Sequence, residues 1–132
     1  MKIADVEGIG AAHAEQLSAA GVVTDEDLLH RGATRAGRLR LAAVSGIREE
    51  SLLAWIRRIE LLRLDGVRPE HVKLLVAAGV DGALELARRD ARRLAETLAE
   101  LSRTRAMVRQ APDAGMIASW IEAARSADPV ED

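Results

Sequence analysis

The chain has no cysteine, no phenylalanine and no tyrosine, and it is sparing with proline and lysine. Without cysteine there is no disulfide framework and no thiolate metal site, which fits a reducing compartment. Without Phe or Tyr, only Trp55 and Trp120 could stack on unpaired bases. No apolar run is long enough for a membrane span, and the opening MKIADVEGIG lacks the core of a signal peptide. A cytoplasmic chain with no membrane partner is expected. A basic surplus is also missing: 19 basic against 21 acidic residues give a net charge of −2. Globally, then, the chain does not carry the charge of a polyanion binder. Catalytic signatures are absent too, with no phosphate-cradling glycine loop ending in Lys-Ser/Thr and no metalloprotease histidine pair. No Ser-His-Asp arrangement can be justified, and the carboxylates are scattered. The expectation is a protein that is not an enzyme and needs no cofactor or metal.

What the sequence does contain is a duplication. Val6-Glu7-Gly8-Ile9 returns as Leu64-Asp65-Gly66-Val67 at an offset of 58. The same offset carries His13 to His71, Ala20-Gly21-Val22 to Ala78-Gly79-Val80, and Arg31 and Arg35 to Arg89 and Arg93. Trp55-Ile56 and Trp120-Ile121 correspond at an offset of 65, so the second copy holds about seven extra residues near TRAMVRQAPDAG. Each half also repeats itself weakly, because LAAVSGIREESLLAWI echoes the opening stretch. Four turns are thus expected: at Gly8 to Gly10, at Gly46, at Gly66, and a degenerate one near Ser102.

Between the turns the pattern is helical. Leu52, Trp55, Ile56, Ile59 and Leu62 recur at three- and four-residue steps, as do Leu94, Ala95, Leu98 and Leu101, and Ile117, Trp120, Ile121 and Ala124. Gly21 and Gly79 stop helices, Thr24 with Asp27 forms a capping box, and Asp81, Asp90 and Asp113 are expected N-caps. Pro69 suits a first helical position. Nothing alternates with period two, so the fold class is all-α.

An apolar helix, a Gly-hydrophobic-Gly turn and a second helix with alanine four residues on resembles the helix-hairpin-helix module. Val6, Gly8, Ile9, Gly10, Ala14 and Leu17 carry the likeness. Tandem copies over nearly the whole chain are similar to a bacterial domain family of unknown function built from such units. The resemblance implies two paired units, at 1–62 and 63–127, forming one compact helical body, with 128–132 as a tail and Val130 to Asp132 frayed. Gly8 and Gly10 would make the turn, and Ile9 would fill the space between helices. It also implies two possible uses, since such modules hold nucleic-acid backbone without reading sequence and related hairpin bundles join proteins.

The residues divide along the same line. For backbone binding, Arg48 and Arg68 sit two residues after Gly46 and Gly66, and Arg31, Arg35, Arg89 and Arg93 fall in two repeat-related basic stretches. The first stretch, from 28 to 48, includes Arg38 and holds no acid until Glu49. Against it, Glu7, Asp65, Glu49, Glu50 and Glu70 crowd the turns with negative charge. The alternative is an adaptor or self-associating scaffold without nucleic acid, in which arginine is simply the solvating cation. His13 and His71 read as packing groups near the turns, and Trp55 and Trp120 as core anchors.

Overall fold

The computed structural model describes residues 1–132 and contains eight α-helices and no strand. No helix is long and apolar enough to cross a membrane. The chain divides into two units, residues 1–59 with 130–132, and residues 60–129. The division falls inside a helix rather than at a loop.

The first unit begins with a short 3-10 turn, Ile3–Asp5, followed by α1 (Ala11–Ala19), α2 (Asp25–Gly32), α3 (Arg35–Ser45) and the start of α4 (Glu49–Leu62). Each boundary has a local cause. Gly8, Gly21 and Gly46 take φ of +90°, +90° and +76°, which a residue without Cβ adopts at little cost. At the start of α2 the Thr24 hydroxyl accepts from the Asp27 N–H, while the Asp27 carboxylate accepts from the Val23 and Thr24 N–H groups. Those bonds hold the Asp27 pKa below its usual value. Thr34 caps α3 in the same manner through Gly37 N–H. The core gathers Val6, Ile9, Leu17, Val22, Leu28, Leu41, Leu52, Trp55, Ile56 and Ile59.

The second unit repeats the order with α5 (Pro69–Ala77), α6 (Ala83–Ala87), α7 (Ala91–Arg105) and α8 (Ala114–Ser126). Gly66 and Gly79 match Gly8 and Gly21, with φ of +84° and +85°. Pro69 opens α5, and the carboxylates of Asp90 and Asp113 cap α7 and α8. Its core holds Leu74, Leu75, Leu86, Leu94, Leu98, Ile117 and Trp120, among others.

Four expectations need correction. No turn forms at Ser102: α7 runs through it to Arg105 and ends on Ala106 at φ +50°. With no glycine where Gly46 stands in the first half, the helix continues a further turn. Ser102 instead donates its hydroxyl to the Val108 carbonyl, tying the following loop back to the helix. The N-cap of α6 is Gly82, one residue beyond Asp81. Gly10 caps α1 with φ −84°, and a Cβ added there would meet nothing, so of the two glycines only Gly8 is required by the turn. Finally, Val130 to Asp132 do not fray. Val130 packs against the core of the first unit, Glu131 N–H donates to Ala33 C=O, and Asp132 pairs with Arg57.

Candidate functional site

The same small assembly is built twice. In the first unit the left-handed Gly8 lies over the edge of Trp55, whose indole nitrogen would be 3.6 Å from an added Cβ. His13, in the first turn of α1, meets the Trp55 ring at 5.0 Å between centroids. In the second unit Gly66 lies 3.4 Å, on the same measure, from the Trp120 indole nitrogen, and His71 meets that ring at 4.9 Å. Glycine, tryptophan and histidine thus clasp the start of α1 and of α5. Both tryptophans are buried, at 5% and 2% exposure, so neither offers a face to a base.

The copies differ at histidine. His13 is exposed, and α1 has no side-chain cap. His71 is buried, and its Nδ1 accepts the Arg68 N–H at 3.0 Å, so it fills the N3 position of a helix cap. Accepting at Nδ1 requires the neutral ring with its proton on Nε2. Burial holds the pKa of His71 below the ordinary value; Glu70 pulls it back up, and Arg68 pushes it further down. As pH falls, the unfolded chain therefore takes up this proton first. The stabilisation is complete above about pH 6.5 and is lost as pH falls from there toward the lowered folded value. Urea midpoints are expected to drop on acidification through that window, with a slope of at most about 1.4 kcal/mol per pH unit. The His71→Gln variant keeps an acceptor at N3 but cannot titrate, and its midpoints should fall less over the same range.

The arginines singled out from sequence have several fates. Arg31 Nη1 donates to Ala20 C=O at 3.1 Å, and Arg89 Nη2 reaches Gly79 C=O at 3.5 Å. These repeat-equivalent residues hold the carbonyl ends of α1 and α5, and Arg89 also pairs with Glu85 at 3.0 Å. Arg38 is wholly buried, its Nε donating to Glu49 Oε1 and its Nη1 to Gly32 C=O, both at 2.8 Å. It solvates nothing. Arg35, Arg48 and Arg93 are exposed and make no side-chain ion pair, while Arg68 pairs loosely with Glu70 at 3.5 Å.

Two clefts show what the sequence reading missed. In the first unit His30, Arg31, Gly37, Arg40 and Val44 line a cleft of about 410 Å³. In the second, a cleft of about 450 Å³ is lined by Arg68, His71, Arg109, Gln110, Asp113 and Met116, among others. Arg40 and Arg109 lie in the basic stretches, but spacing alone does not distinguish them from their neighbours. Loop 106–112, which supplies Arg109, belongs to the extra residues of the second copy. Gly46 and Gly66 occupy turns at φ +76° and +84°, followed within two residues by Arg48 and Arg68. No group of three or more His, Asp or Glu side chains is placed to hold a metal ion.

One protein family, described as a domain of unknown function (DUF4332), has a family model that matches residues 7–127. No curated protein and no solved structure matches the chain.

Proposed function

Because the chain belongs to the DUF4332 family of unknown function, we infer its role from site geometry: it binds nucleic-acid backbone, without chemistry and without reading sequence. One observation carries this reading. Exposed guanidinium groups with no ion pair occur in the first turn of α3, at Arg35, and in the first turn of α7, at Arg92 and Arg93. No residue of either first turn is itself acidic, and the carboxylates that reach these turns, Asp90 and Glu131, bond backbone N–H groups and leave the guanidinium groups unpaired. Arginine forks match phosphate oxygens, and helix N-termini favour anions. The turns at Gly46 and Gly66, with Arg48 and Arg68 after them, resemble the phosphate-facing turns of helix-hairpin-helix modules and add to the reading. The net charge of −2 is compatible with it because phosphate contact depends on local clusters.

A salt titration against duplex DNA tests this. Retention is expected at low salt, falling linearly in log–log form as salt rises. Replacing Arg48 and Arg68 together should weaken binding equally on unrelated sequences and reduce the slope by about 1.8, at ~0.9 per lost phosphate contact. A duplex ignored at every salt concentration would overturn the proposal. A second reading, docking on a protein partner or another copy, draws on Leu39 and Val44, which leave α3 51% and 66% exposed. Mass that stays monomeric at all concentrations would remove self-association.

A further inference from the structure

We propose that residues 130–132 are an internal polyanion mimic that occupies the N-terminal end of α3 beside Arg35, neutralises Arg57, and so regulates the access of nucleic acid to both. The proposal rests on the backbone-binding reading above. Three consecutive residues engage three different features of the first unit. Val130 packs against the apolar core, which anchors the segment. Glu131 binds twice: its N–H donates to Ala33 C=O at 3.0 Å, and its Oε1 accepts the Arg35 N–H at 3.2 Å. A carboxylate thereby occupies the N-terminal end of α3, in the turn that carries the Arg35 guanidinium. Asp132 then pairs with Arg57 on α4.

Comparison with the second unit shows that this carboxylate is not needed to start the helix. There, α7 is capped by its own Asp90, and no distant acid reaches its first turn. In the first unit Thr34 already caps α3 through Gly37 N–H. Glu131 therefore adds a second acceptor, and an anionic one, brought from 96 positions along the chain. Together the two carboxylates offer what a phosphate would: an oxygen of Glu131 accepts from a helix-terminal N–H, and an oxygen of Asp132 is held by the Arg57 guanidinium. Asp132 itself is mostly exposed, at 83%, so exchange with an external anion requires no unfolding.

The test uses the full chain with duplex DNA in a salt titration, comparing the parent, Asp132→Asn and Glu131→Gln/Asp132→Asn. The mimic predicts several-fold tighter binding at low salt for both variants. It also predicts a log–log slope steeper by about 0.9 for Asp132→Asn, as Arg57 becomes free for one phosphate. Asp132→Asn leaves both Glu131 bonds in place, so its result stands even if the double variant unfolds. If parent and variants bind with equal affinity and slope, the mimic is overturned and the backbone-binding reading survives. An equal gain by the variants on a neutral polysaccharide in place of DNA would also overturn it, since that gain is not phosphate-specific. If none of the three binds at any salt, both proposals fall.

Discussion

Replacing Arg38 with alanine is expected to cost about 3–5 kcal/mol, the usual range when one partner of a buried ion pair is removed. The side chain is fully buried, and it joins α3 to the first residue of α4 through Glu49 and to the end of α2 through the Gly32 carbonyl. Truncation would leave a void, an uncompensated carboxylate and an unpaired carbonyl in one place. The pair is nevertheless a costly way to fill that space, and Nη2 of Arg38 has no partner at all. The second unit shows the alternative. Leu94 stands four residues after its N-cap Asp90, as Arg38 stands four after Thr34, and it is 2% exposed. Arg38→Leu combined with Glu49→Gln should therefore recover most of the loss, because an apolar group replaces the wholly buried guanidinium and the half-buried partner no longer carries a charge. Urea denaturation with unchanged m-value is the measurement. An Arg38→Ala variant within about 1 kcal/mol of the parent would mean that the pair is not buried in solution.

The second large effect is expected at Gly8. Alanine there must adopt φ +90°, at about 1–2 kcal/mol for the left-handed region. Its Cβ would also fall on Arg58 Nη1, which donates to the Glu7 carbonyl at 2.7 Å. Losing that charge-assisted bond adds about 1.5–3 kcal/mol if the guanidinium finds no other acceptor, and less if it rehydrates. A total of about 2.5–5 kcal/mol is expected for Gly8→Ala if the bond is lost outright, and less if the guanidinium rehydrates. Two controls separate the causes. Gly66→Ala faces the same φ strain, but its Cβ meets only the Trp120 indole at 3.4 Å, so it should cost less. Gly10→Ala, with ordinary φ and open space, should lose only the N-cap preference for glycine over alanine, about 1 kcal/mol or less. Equal losses at all three glycines in urea denaturation would refute this account of the turn.

These glycines also mark how far local pattern reaches. The helices, their caps at Thr24, Asp90 and Asp113, and the stops at Gly21 and Gly79 are all legible in sequence. Each depends on groups within a few residues, where spacing alone fixes geometry. The correspondence of His13 and Trp55 with His71 and Trp120 is legible as well, because duplication preserves a contact whose partners lie far apart. Pattern misplaces the turn near Ser102, since a helix lacking a glycine stop ends wherever its packing does. It also groups Arg31, Arg35, Arg38 and Arg48 as one basic stretch. The fold sends Arg31 to a helix end and Arg38 inside, and leaves Arg35 and Arg48 in solvent.

The sequence by itself determined an all-helical, duplicated chain, because helical periodicity, capping chemistry and backbone freedom are short-range properties. Only the tertiary structure decided which arginines remain available to a ligand, which histidine is a neutral cap, and that Glu131 reaches α3. Those outcomes depend on burial and on neighbours distant in the chain. A charged side chain's role is set by the groups that surround it after folding.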